Sequence, residues 1–268
     1  MNRLDYTPVD LPAITRYMFY PRPDASPPPP GAFDHTFPAH DGVELCGRFF
    51  PEDKQRSTVL FFHGNGEVAP EYDGISSLYH HVGLNLFVAD YRGYGKSRGE
   101  PSVSALAEDS HTTLDALATL LKERGYSPTI YVMGRSLGAY CAVEIAAGSR
   151  EKVKGMIIES GSADIGGTPQ RLGISETPAI SRLIHDYWAR VRSIDTPLLV
   201  IHGDRDFLVP ISHAEDLYEA VASPDKTFFT IPGAGHNDIM FVDTDGYFRA
   251  IRDFVRRLED VSPSTPPV

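Results

Sequence analysis

A serine, a histidine and an aspartate in this sequence could together carry nucleophilic acyl chemistry, and each follows an apolar run. Ser136 stands in Gly134-Arg-Ser-Leu-Gly138, the G-x-S-x-G spacing of a nucleophile elbow. A serine at the tip of so tight a turn occupies sparsely populated backbone space, so the residues two positions away must lack bulk. An alcohol is barely ionised near neutral pH and needs a base. His236, in Gly233-Ala-Gly-His-Asn237, is the candidate, its flanking glycines letting the loop reach back over a sheet. The base in turn needs a carboxylate to hold its tautomer and stabilise the imidazolium. Asp204 and Asp206 both qualify, and side-chain chemistry alone does not separate neighbours two apart. Cys141 is the competing nucleophile, but no turn surrounds it as one surrounds Ser136.

These residues need strands and helices to hold them. Ile130 to Met133 is a β-rich apolar run leading into the Ser136 turn. A small-residue helix containing Ala139, Ala142, Ala146 and Ala147 follows, with Gly148 as its stop. The start of that helix aims free N–H groups at the place where an oxyanion would form. Pro197–Ile201 reads as a buried strand ahead of the aspartates, and Lys226–Ile231 as a strand ahead of His236. Phe33–Phe37 and Val43–Phe50 alternate as a hairpin around residues 39–42. Ser57–Phe62, Leu84–Ala89 and Val153–Ile158 are further strands. Helical spacing appears from Ser102 to Arg124, and further helices are expected over Ala179–Arg192, Ala214–Ala222 and Tyr247–Leu258. Such alternation implies a mostly parallel sheet covered by helices on both faces.

With these motifs in hand, the sequence resembles the α/β-hydrolase superfamily from about Phe33 to Leu258. The resemblance implies a single-domain α/β-hydrolase fold and serine hydrolase activity through Ser136, Asp206 and His236. The family pattern His-Gly-x-x-Asp-x-x-Val-Pro, here His202 to Pro210, is what puts the acid at Asp206. Asp204 then reads as a turn residue bonding its own backbone. The resemblance also implies that the His63-Gly-Asn-Gly66 loop supplies a second oxyanion N–H, from Asn65, beside that of Leu137. His63 itself reads as a histidine packing that loop. The expected organisation is a Pro-rich N-terminal extension at 1–31, the hydrolase domain at 32–260 and a flexible tail at 261–268. A short lid region falls at about 161–194. The run from Phe62 through Asp90-Tyr-Arg-Gly-Tyr-Gly-Lys-Ser97 to Gly138 is similar to a branch of protein depalmitoylases and bacterial esterases. The cysteine-rich N-terminal anchor of those depalmitoylases has no counterpart in residues 1–31. The expectation is hydrolysis of a carboxylic ester, with a thioesterase or small peptidase as alternatives and a non-catalytic binding protein as the reading from another class. Ser162 to Thr177 is too short and glycine-rich for a roof several helices deep, which favours short acyl chains.

Composition bounds the rest. The 268 residues are 41% hydrophobic and 23% charged, as in an ordinary soluble domain. A formal net charge of −11 opposes nucleic acid and anionic membrane surfaces as partners, and a small-molecule ester is the expected substrate. No stretch approaches the roughly 18 apolar residues of a membrane span. Met1 to Tyr6 lacks the basic and apolar regions of a signal peptide, so the cytoplasm is the expected location. Cys46 and Cys141 read as small buried groups rather than a disulfide. Gly95-Lys96-Ser97 would complete a phosphate-binding loop only if position 90 were glycine, and it is Asp90. The histidines show no metal-ligand spacing, and no cofactor is expected. Ser26-Pro-Pro-Pro-Pro-Gly31 is extended, while Tyr17-Met-Phe-Tyr20 is expected to pack on the domain.

Overall fold

A computed structural model describes residues 4–260. One eight-stranded sheet runs in the order β1-β2-β4-β3-β5-β6-β7-β8. The strands are β1 Phe33–Pro38, β2 Glu44–Phe50, β3 Thr58–Phe62, β4 Asn85–Ala89, β5 Ile130–Arg135, β6 Gly155–Glu159, β7 Leu198–Gly203 and β8 Lys226–Ile231. β1 pairs antiparallel with β2, and β2 antiparallel with β4. All other pairings are parallel.

The helices are α1 Pro12–Met18, α2 Ser76–His81, α3 Val103–Arg124, α4 Gly138–Gly148, α5 Gly167–Arg171, α6 Pro178–Val191, α7 Ile211–Ala220, α8 Ile239–Val242 and α9 Thr244–Asp260. They cover both faces of the sheet, so β3, β4, β6 and β7 are buried along their whole length. This is why these strands are unbroken apolar runs and not alternating ones. The pleat still sorts their side chains. Leu60, Val132, Ile158 and Val200 join the core beneath α3, α4, α6 and α7. Phe61, Met133, Ile157 and Ile201 join the core beneath α2 and α9.

Local signals set the ends of the longest helix. The Ser102 hydroxyl accepts the Ala105 N–H at 3.0 Å at the start of α3, and Gly125, at φ +70°, ends it. The end of α4 differs from expectation. Gly148 is its last helical residue, and Ser149 caps it with φ −140°. The glycine serves packing instead: a Cβ there would lie 2.6 Å from the Arg190 guanidinium and 2.9 Å from the His111 ring. The N-terminal segment is also more than extended chain. Its helix α1 buries Ile14, and Phe19 follows into the same core. Between β6 and β7 lie only α5 and α6, and α6 turns Ile180, Leu183, Tyr187 and Val191 into the core. Among the described residues no helix is long and apolar enough to cross a membrane. The expected tail at 261–268 lies outside the described residues.

Candidate active site

The parallel strands deliver their C-terminal ends to one edge of the sheet, and the three candidate side chains meet there. Ser136 lies between β5 and α4 with φ +51°. Among the described residues only Ser160, at +46°, shares that left-handed backbone without being glycine. The turn closes because its neighbours are glycines: a Cβ on Gly134 would run into the Gly138 carbonyl, and one on Gly138 into the Phe62 carbonyl of β3. The Ser136 N–H is fixed by the Glu159 carbonyl at 2.9 Å.

The loops after β7 and β8 are laced together. A Cβ on Gly203 would collide with the Ala234 carbonyl, which instead accepts the Arg205 N–H at 2.9 Å. This close approach corrects the expected role of Asp204. Its carboxylate accepts the Gly233 N–H of the histidine loop at 2.7 Å, so it bridges two loops and does not bond its own turn. Asp206 is the aspartate that faces the histidine. Its Oδ1 accepts the N–H groups of Leu208 and Val209 at 2.9 and 2.8 Å, and its Oδ2 lies 2.8 Å from His236 Nδ1. A carboxylate can only accept, so Nδ1 carries the ring proton and Nε2 turns its lone pair to Ser136 Oγ, 3.0 Å away. Burial pushes the Asp206 carboxyl up, but the bonds from His236 and Val209 outweigh it and hold the group below the ordinary carboxylate range.

A second histidine, His202, stands behind Asp206 and was not given a role by the sequence. It is fully buried, with Nε2 2.9 Å from the Val209 carbonyl and 3.4 Å from Asp206 Oδ2. Burial pushes its pKa below the ordinary histidine value, so the ring is held neutral and donates from Nε2. His63, by contrast, packs its loop as expected: it is buried, its Nδ1 lies 2.8 Å from the Gly64 carbonyl, and its ring centroid is 4.5 Å from that of Tyr91.

Leu137 follows Ser136 at the start of α4, and Asn65 lies in the loop after β3, the strand paired beside β5. Among the described residues, neither backbone N–H has a hydrogen-bond partner. The Asn65 side chain is anchored from a direction the sequence did not suggest: its Oδ1 accepts the Tyr20 N–H at 2.8 Å and the Tyr94 hydroxyl at 2.7 Å. The N-terminal segment thus forms a strap beside the loop after β3. Arg22 and Asp24 hydrogen-bond Gly95 through its N–H and carbonyl, both at 3.0 Å, and a Cβ on Gly93 would sit 3.1 Å from Pro21 Cβ. The available signal was Gly93 after β4, whose missing side chain leaves room for Pro21 of the strap. Cys141 is buried on α4, and burial pushes its thiol far above the ordinary value, away from a nucleophile's needs. Among the described residues no group of histidine, cysteine or acidic side chains could hold a metal ion.

The profile of the family described as "Serine aminopeptidase, S33" matches residues 53–183 and 174–244. The chain belongs to this α/β-hydrolase family. The matched spans contain Ser136, Asp206 and His236. Protein bem46 of Schizosaccharomyces pombe is 31% identical over 218 residues, covering 79% of this chain and 71% of that protein. Among solved structures, the Pyrococcus furiosus esterase Pf2001 is similar at TM-score 0.71 and 21% identity, covering 88% of this chain and 98% of that one. Est1E from Butyrivibrio proteoclasticus, solved with ferulic acid bound, is similar at TM-score 0.69 and 20% identity, covering 84% and 99% of the two chains. Likeness at that identity speaks for the fold. The family makes the protein a hydrolase.

Proposed function

We propose that this hydrolase cleaves carboxylic esters, preferring short acyl chains, through an acyl-Ser136 intermediate. The observation that carries the reading is the unbroken line of hydrogen bonds from Asp206 through His236 to Ser136. His236 takes the serine proton as Oγ attacks the carbonyl carbon, and the protonated ring is stabilised by Asp206. The negative oxygen is held by the N–H groups of Asn65 and Leu137; losing one such donor costs about 10²- to 10³-fold in rate. His236 then gives its proton to the departing alcohol and activates the water that releases the acid. The Pyrococcus furiosus esterase among the similar structures supports an ester as substrate.

The family description favours a second reading, an aminopeptidase. Such an enzyme needs a free carboxylate to receive the substrate's α-ammonium group. The carboxylates that contact the elbow, Glu67 and Glu159, are both engaged by Arg135, which supports the ester. Fluorophosphonate labelling together with turnover of p-nitrophenyl esters, a thioester and an aminoacyl anilide tests the choice. Labelling of the parent, its loss in Ser136→Ala and turnover confined to esters are expected. Labelling or turnover retained in Ser136→Ala, or a dominant anilidase activity, would overturn the proposal.

A further inference from the structure

We propose that Arg135, the residue just before the nucleophile, is a positioning residue that locks the elbow, the histidine loop and the oxyanion loop into one frame. The inference rests on the ester-hydrolase reading and adds a residue to that same site. The Arg135 side chain is only 11% exposed and has a partner on every side. Its Nη2 donates to the His236 carbonyl at 2.9 Å and to Asn237 Oδ1 at 3.1 Å. Its Nη1 donates to Glu67, and its Nε to Glu159 Oε1 at 3.2 Å.

Each carboxylate carries the frame further. Glu67 Oε2 accepts the Gly64 N–H at 3.1 Å and the Tyr72 hydroxyl at 2.7 Å, so it grips the loop that presents Asn65. Glu159 Oε2 accepts the Tyr247 hydroxyl of α9 at 2.7 Å, while the same residue's carbonyl holds the Ser136 N–H. Gly64 fits this frame and no larger residue would, because a Cβ there would collide with the guanidinium and lie 2.5 Å from Glu67 Oε1. The charges match the geometry. Burial pushes Glu159 up; burial also pushes Glu67 up, but Arg135 together with the Tyr72 hydroxyl, His63 and the Gly64 N–H outweighs it and holds the group below its ordinary value. Burial would lower Arg135 itself, but the two carboxylates outweigh it and keep the guanidinium charged.

A planar guanidinium can serve three directions at once from one rigid fork, which an ammonium on a flexible stem cannot. The frame matters because the base and the oxyanion donors must stand in register with Ser136, and a misplacement of about 1 Å costs roughly 10²-fold in rate. None of the Arg135 contacts is with the reacting atoms, so the loss should fall on kcat and spare KM.

The test compares Arg135→Gln, Arg135→Lys and Glu67→Gln with the parent on a short p-nitrophenyl ester, with fluorophosphonate inactivation rates and urea midpoints measured alongside. Arg135→Gln is expected to lose about 10²-fold in kcat and in inactivation rate, with KM within about 3-fold. Arg135→Lys should recover only part of that loss, and Glu67→Gln should lose roughly 10-fold. Should Arg135→Gln fail to fold, Arg135→Lys and Glu67→Gln decide on the same readouts. Folded variants with kcat within about 3-fold of the parent would overturn the inference, as would a lower urea midpoint with unchanged inactivation. If the parent itself turned over no ester, the proposed function would fail, whereas an active parent with a silent Ser136→Ala leaves Arg135 alone on trial.

Discussion

Asp204 and Asp206 carry the same side chain two residues apart, and their hydrogen bonds give them different work. Asp206 faces His236 Nδ1, so Asp206→Asn should favour the wrong ring tautomer and cost on the order of 10⁴ in kcat. Asp204 accepts a single backbone N–H from Gly233, so Asp204→Asn should cost about 1 kcal/mol of stability and little rate. Steady-state kinetics and urea midpoints on the two variants check this, and the larger rate loss at Asp204 would refute it. His202 behind Asp206 gives a pH dependence of definite sign. Its folded pKa is depressed by burial, so the unfolded chain takes up a proton that the folded ring refuses. Its contribution is therefore present above the ordinary histidine value of about 6.5 and is lost as pH falls through it. His202→Gln should shrink the drop in urea midpoint between about pH 7.5 and 5.5, and an unchanged drop would count against a neutral buried ring.

At the scale of elements, the strands were legible because burial on both faces writes them as unbroken apolar runs, and β3, β4, β6 and β7 begin within two residues of expectation. The Ser136 turn was legible for a related reason: the glycines it requires are a local signal that needs no knowledge of distant chain. What stayed hidden depends on remote partners. Nothing near Tyr20 in sequence says that its N–H meets Asn65, and the second position of G-x-S-x-G gives no hint that Arg135 holds Glu67 and Glu159. Asp204 departs from the expectation because a turn aspartate usually satisfies its own backbone, whereas here Gly203 lets another loop come closer. The strap makes its own prediction. Tyr94→Phe removes the hydroxyl that bonds Asn65 Oδ1 and accepts from the Tyr20 N–H. It should cost about 1 kcal/mol of stability and lower kcat several-fold by loosening the loop of Asn65. Urea unfolding and ester kinetics on this variant check both parts, and an unaltered kcat would show that the strap only stabilises.

For the whole molecule, what lies over the site follows from how the crossover between β6 and β7 is spent. One face of the fourteen-residue α6, with Ile180, Leu183, Tyr187 and Val191, packs into the core, which leaves only the five-residue α5, against which α1 rests, from that crossover to serve as a cover. An acyl chain longer than this cover leaves its outer methylenes wet, and each forgoes the roughly 0.8 kcal/mol that burial would contribute. Along a p-nitrophenyl ester series, kcat/KM should therefore peak at about C2 to C6 and fall beyond; a peak at about C12 or longer would show a groove that this arrangement does not provide. The central claim is the acyl-Ser136 intermediate, and intact-mass spectrometry after acid quench of the enzyme with p-nitrophenyl acetate tests it most directly. One acetyl group should appear within the first turnover, map to the peptide carrying Ser136 and be absent from Ser136→Ala. An acetyl group on Cys141 or another residue, or ester turnover persisting in Ser136→Ala, would contradict the account.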